Sequence, residues 1–512
     1  MTTTFSRRGL LGAAAALPAA GSLFANRRAM AQAAGGTLRF GLSAFPPSLR
    51  SWPSTGASAG TVKLNIFRGL LGNDAKGELR GELAESWRQV DPVTYEFKLR
   101  QNAVFQDGAK VDPDAIRFNV EAIAAEKSTA YQRAVFQNVA KVEAPDASTV
   151  RLVLKEPNAT FLLALATYNS GFISPKSTEA DPIGAGPYRL VGQERGSRIE
   201  VEAFDKFYKP GLPKTKKIVF QVYQDESLRA TALRTGDVDI IEYVPWAQMD
   251  QIESDPNQKL LVSDGGYMCL LFNCARGPFA DKRVRQAVAW AVRRDDIVKA
   301  AFFGRGHALN GIPFRTTAAM NDPSLNEGWG LDLNKAKALL AAAGVGSGFQ
   351  AKLLSTAQFG MHKDTAEVVQ QSLAAIGIQC ELNMPEWGTR VQLGNRGQYD
   401  LAVHGLAGDY NDPDSMTNYL LGGQPASYSR PVGFNNEKAN QLMKAGQAES
   451  DPQKRLAIYR ELRDVLLDEA AFVGLAWRSQ GYGTRSNISG FANLPGFLSL
   501  SSGSVLEDVV VG

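Results

Sequence analysis

Cysteine and histidine are scarce in this chain of 512 residues, with three of each. Cys269, Cys274 and Cys380 form no CxxC pair, which excludes thioredoxin chemistry and the common zinc frameworks. An odd number leaves at least one thiol unpaired within a monomer. Cys269 and Cys274 lie five apart in the strand-like run 268–274 and so point to opposite faces, so small buried hydrophobes are expected at all three positions. His307, His362 and His404 lack any metal-ligand spacing, and no metal site is expected. His404, in the strand-like run 400–404, either faces a cleft or is a hydrogen-bonded core residue, the commoner case. Also missing are GxSxG, a Walker A loop, GxGxxG and HExxH. Pairs such as Asp295-Asp296 carry little weight among 52 acids. No catalytic residue and no cofactor is assigned, and an enzyme is the less favoured class.

Charge of one sign is missing too. The whole chain carries a net charge of +4, but residues 1–33 hold Arg7, Arg8, Arg27 and Arg28 and no acid. The remainder has 52 basic and 52 acidic side chains and is neutral, which gives no electrostatic footprint for nucleic acid. Beyond residue 33 no apolar run is long enough to cross a bilayer. About 480 residues of ordinary composition then suggest two to four globular domains.

The chain does have a three-part leader. Ser6-Arg7-Arg8-Gly9-Leu10-Leu11 places a twin arginine before an apolar run ending at Ala25, and two small-x-small sites follow. This is the layout of a twin-arginine export signal cleaved after Ala31 or Ala33, so the expected location is the periplasm.

Elsewhere strands and helices alternate. The runs 94–100 and 378–384 alternate apolar and polar residues as half-wet strands do. The second follows a helical stripe of Val369, Leu373 and Ile376 stopped by Gly377. A helix capped by Asp332 is expected to bury Leu333, Ala336, Leu340 and Ala343 and to end on Gly344. The stretch 281–299 reads as one helix with Val284, Val288 and Ala291 inward and Lys282, Arg285 and Arg293 outward. Asp451-Pro452 opens a helix with Leu456, Tyr459, Leu462 and Leu466 on one stripe. An α/β architecture follows. The acidic loop 408–414 lacks EF-hand spacing, and Asp412 and Asp414 are expected only to make turn and cap hydrogen bonds around Pro413.

Several segments resemble one known family. They are Phe67-Arg68-Gly69-Leu70, Leu83-Ala84-Glu85-Ser86-Trp87, Phe105-Gln106-Asp107-Gly108, Gly184-Ala185-Gly186-Pro187-Tyr188, the run 232–240 and the helix entry 278–287. In this order they resemble the extracytoplasmic solute-binding proteins of ABC importers, peptide/nickel class. The resemblance implies a two-lobed periplasmic-binding-protein fold with a hinge. It places an N-terminal lobe in 34–60, 181–265 and 478–512, an inserted subdomain in 61–180 and a second lobe in 266–477. It implies a monomer that captures a short peptide or related amine-bearing solute between the lobes and delivers it to a permease. Nickel chelates, haem and oligosaccharides are alternatives within the fold, and an extracytoplasmic hydrolase or cofactor enzyme is the alternative outside it.

The loop 405–413 resembles the family's W-x-x-D-Y/N-x-x-P motif, which gives Asp409 the role of pairing with the ligand ammonium, with Tyr410 beside it. Leu406 replaces the loop's tryptophan, and Trp387 matches the family's pocket tryptophan. Arg390 and Arg396 either meet a ligand carboxylate or remain solvated surface charges. The stretch 45–51 lacks the family's usual Leu-Asp-Pro.

Overall fold

The computed structural model describes residues 36–53, 56–316, 320–501 and 505–512. The leader 1–33 lies outside the described residues.

Two long strands, Gln258–Phe272 and Phe472–Arg485, run antiparallel through the middle of the molecule. At about 3.4 Å per residue each spans roughly 50 Å, enough to serve two sheets end to end. Near one end, Ile240–Ile241 pairs with Gly483 and Thr484, followed outward by Thr37–Leu42, Lys217–Val222, Arg198–Ala203 and Tyr188–Glu194. Near the other end, Leu401–Leu406 pairs with Tyr267 through Phe272, followed by Phe349–Leu354 and Ile378–Asn383. The register slips at Asp264/Gly266 and Met268/Cys269, where the two halves meet. Such bulges bend a strand and increase its twist, so the two sheet halves turn away from each other and leave a cleft. A separate antiparallel sheet of Ala84–Asp91, Thr94–Leu99, Thr149–Leu154 and Val139–Asp146 has its own core around Phe97, Ile116, Leu152 and Phe161.

The locally specified elements form as read. Asp332 accepts a hydrogen bond from the Lys335 amide and opens helix Leu333–Ala342, while Asp451 accepts from Gln453 and Lys454 and opens Pro452–Glu469. Leu456, Tyr459, Leu462 and Leu466 are buried along one stripe, and Gly377 (φ 88°) stops the turn before Ile378–Asn383. Leu333 departs from expectation: it is exposed, because the first turn of its helix projects beyond the core.

The single helix expected over 281–299 is two, Lys282–Ala291 and Arg294–Phe302. The buried Arg294 guanidinium explains the break. It donates to the Ala289 carbonyl in the last turn of the first helix and to the Leu309 and Gly474 carbonyls beyond it. Arg285 is likewise not outward. It is 3% exposed and joins the Phe279 and Ala280 carbonyls to Glu469, pinning this helix to the end of Pro452–Glu469. All three cysteines are free thiols. Cys269 and Cys380 are buried as expected, whereas Cys274 is only half-buried.

Candidate functional site

Strand Leu401–Leu406 ends at the cleft, and the chain continues through Ala407 and Gly408 to Asp409. Gly408 is required here, since a Cβ would stand 2.4 Å from both the Phe497 ring and Ser415 Oγ. Asp409, 7% exposed, accepts hydrogen bonds from the Tyr131 hydroxyl at 2.8 and 3.0 Å and from Asn418 Nδ2 at 2.8 Å. These two donors are neutral. Burial outweighs them and pushes the carboxyl up to about 6. Tyr131 belongs to the part of the chain that carries the four-stranded sheet, so its bond to Asp409 bridges the cleft.

Behind this bridge lies a cavity of about 530 Å³, a size that suits a small organic molecule. One wall comes from Phe45, Pro46, Pro47, Ser58, Tyr168, Arg229 and Tyr243. The opposite wall comes from Phe359, His362, Trp387, His404, Leu406, Asp409, Tyr419 and Tyr428, with Arg478 supplied by a long strand.

Trp387 is the first residue of helix Trp387–Asn395, and Glu386 caps that helix by accepting from the Gly388 and Thr389 amides. Its ring lies parallel to His404 with centroids 6.1 Å apart and edge-on to Phe359 and Tyr428. This aromatic wall replaces the plane lost at Leu406 and gives apolar area with few polar demands. His404 and His362 are buried, and burial beside the Arg390 charge drives both imidazoles well below their ordinary pKa, so they are neutral. Neither His404 ring nitrogen has a hydrogen-bond partner among the described residues. His404 is thus a cavity residue and not a satisfied core histidine.

Two expected site residues, Tyr410 and Arg390, stand elsewhere, and Arg396 takes the solvated alternative. Tyr410 does not line the cavity; it packs with Ala164 and Leu498, and its hydroxyl bonds Asp414 and Thr160. Arg390 is fully buried behind the wall. It donates to the Val403 and Tyr428 carbonyls with its guanidinium 5.4 Å from the Trp387 ring, so it braces the wall and does not line the cavity. Burial lowers it to about 10. Arg396 is an exposed cap of the same helix. The acidic loop also does more than turn. Asp412 caps the short helix at Pro413 and forms a bidentate pair with buried Arg455 at 2.8 Å. Asp414 accepts from Thr160, Tyr410, Thr417 and Gln447.

Tyr131, Tyr243, Tyr419, Tyr428, Phe359 and Arg478 also line the cavity and carry no local motif in the sequence. Only the pair Gly265-Gly266 inside a strand signalled a close approach of something bulky. Among the described residues no cluster of three or more His, Cys, Asp or Glu is placed to hold a metal, and no helix is long and apolar enough to cross a membrane.

Known proteins share this architecture. The structure of AgaA from A. tumefaciens R10, in complex with agropinic acid, is 36% identical, covers 93% of this chain and 99% of that one, and superposes with a TM-score of 0.86. DppA from Helicobacter pylori in complex with the peptide STSA has the same fold at 23% identity and a TM-score of 0.80. The glutathione-binding protein GsiB of Escherichia coli K12 is 27% identical over 452 residues, 85% of this chain and 87% of its own length. Residues 78–428 match the middle region of the bacterial extracellular solute-binding proteins, family 5. That match, with the two-lobed fold shared with AgaA over 93% of the chain, makes this chain a member of that family, a solute receptor of an ABC importer.

Proposed function

We propose that the ligand is a small amine-bearing solute, a short peptide or a related compound, whose ammonium pairs with Asp409. The observation that carries this reading is a carboxylate buried at the wall of a cavity, oriented by the Tyr131 hydroxyl and the Asn418 amide. A charge-assisted bond to an ammonium in such a place is short and strong. The ligands named for AgaA, DppA and GsiB are likewise small organic molecules. The lobes divide at 265/266 and 477/478, within both long strands, with 61–180 as the inserted subdomain. Ligand contacts made on both walls favour closure about these strands. The protein acts as a monomer in the periplasm after twin-arginine export, without nucleic acid and without chemical change to its ligand.

The pH dependence tests the reading. Asp409 must be ionised to hold an ammonium, and its carboxyl titrates near 6. Affinity for a free-amine dipeptide should therefore be greatest near pH 7, fall about tenfold by pH 5 with a proton released on binding in that range, and fall again above about pH 8 as the ligand amine loses its proton. The N-acetylated dipeptide should bind weakly at every pH. Calorimetry in buffers of different ionisation enthalpy reads both effects. A flat profile, or equal binding of the acetylated form, contradicts the reading.

A further inference from the structure

Two guanidinium groups line the cavity, and their surroundings differ. Arg229, 1% exposed, donates to the Tyr223, Glu242 and Tyr243 carbonyls and has the acidic groups of Glu242 and Glu226 in its field. Arg478 is 3% exposed and, among the described residues, has no acidic neighbour to balance it. Among the described residues its partners are Gln480 Oε1 at 3.0 Å, the Met361 sulfur at 3.2 Å and the Tyr243 side chain. Its Nε has no hydrogen-bond partner there. A buried cation held only by neutral groups costs the fold free energy that an opposite charge would offset.

The chain nevertheless makes room for this cation. Gly266 pairs with Arg478 across the two long strands, and a Cβ on Gly266 would stand 2.5 Å from Arg478 Nε. Tyr243 is held against it in a left-handed conformation (φ 48°), its carbonyl and that of Glu242 clamped by Arg229. Strain of this kind at a non-glycine residue persists where the surroundings fix it, and it clusters at ligand sites. Leu406 and Trp477 both pair with Tyr267, so Arg478 and the strand leading to Asp409 stand two strand spacings apart, about 10 Å.

We propose that Arg478, positioned by Tyr243 and Gly266, binds a carboxylate of the ligand, so that the cavity selects solutes carrying both an ammonium and a carboxylate. This rests on the reading of Asp409 as the ammonium site. One guanidinium balances a single negative charge, and the neighbouring Tyr243 hydroxyl can donate to it, which suits a carboxylate better than a doubly charged phosphate.

The test offers the protein a mixture of dipeptides, tripeptides and N-alkylated amino acids, each as the free acid and as its carboxamide, and measures by mass spectrometry what is retained after dialysis. The wild type should enrich acids over their carboxamides by about tenfold or more. Arg478→Met should bring that ratio to about one with the melting temperature of the unliganded protein unchanged or raised, since an uncompensated buried charge is gone. Arg478→Lys should keep part of the preference. Asp409→Asn should weaken both members of each pair and preserve the ratio. Retention of acids and carboxamides alike by the wild type overturns the proposal alone. Retention of neither overturns it together with the ammonium reading. A preference that survives in Arg478→Met, or a lower melting temperature with the preference intact, assigns Arg478 to the fold. The wild-type ratio decides the matter even if a variant does not fold.

Discussion

Asp409→Asn should weaken the binding of amine-bearing solutes by roughly 30-fold or more and leave the fold at least as stable as before. Asparagine keeps an oxygen to accept the Tyr131 hydroxyl but removes the charge that an ammonium needs. Losing one partner of a buried charged pair costs about 2–5 kcal/mol, and about 1.4 kcal/mol is tenfold in affinity. The stability effect has the opposite sign. The native carboxyl titrates near 6 and the unfolded one near 3.8, so the native state binds more protons between these values. The ionised group therefore costs the fold stability that is fully felt above about pH 6 and vanishes below about pH 4. Removing it should stabilise the unliganded protein at pH 7, by at most on the order of 3 kcal/mol. Calorimetry with dipeptides and urea unfolding at pH 7 and pH 4 check the two halves. Unchanged affinity would remove Asp409 from the site.

Three residues further on, the same substitution should act on the fold. Asp412 and Arg455 form a bidentate pair, with side chains only 3% and 7% exposed. Asp412→Asn leaves the Arg455 charge buried without its counter-ion and should lower unfolding free energy by about 3 kcal/mol, the lower end of the usual range because the amide oxygen still accepts one bond. The folded fraction should bind ligand nearly as the wild type does, since neither residue lines the cavity. Replacing both together, as Asp412→Leu with Arg455→Met, should recover much of the loss, because no charge is then stranded. Urea midpoints of the wild type and the two variants measure this. A loss of affinity in Asp412→Asn as large as in Asp409→Asn would contradict the division of labour within the loop.

What could be read from the sequence is what is locally encoded. The helices at Asp332 and Asp451 carry their own caps and stripes, and the strands at Thr94–Leu99 and Ile378–Asn383 carry their own alternation. The break near Arg293 was illegible, because the carbonyls that hold Arg294 come from Leu309 and Gly474, 15 and 180 residues away. The site follows the same division. Asp409, Trp387 and Leu406 were found through motifs of neighbouring residues and do line the cavity. Tyr410 and Arg390 sit beside those motifs but turn elsewhere, one to the Asp414 carboxylate and the other to strand and loop carbonyls behind Trp387. The facing wall is assembled by sheet register and lobe contact. Arg478 meets Gly266 only through the pairing of the two long strands, and Tyr131 meets Asp409 across 278 positions of chain. Composition and spacing do not encode such meetings.

The most direct measurement is mass spectrometry of the small molecule that co-purifies with the exported protein, released by brief unfolding and compared with material from the Asp409→Asn variant. The account predicts a released species with a basic amine, chemically unchanged when it is rebound and released again, and depleted in the variant. A released molecule without a basic nitrogen, or one retained equally by Asp409→Asn, would contradict it.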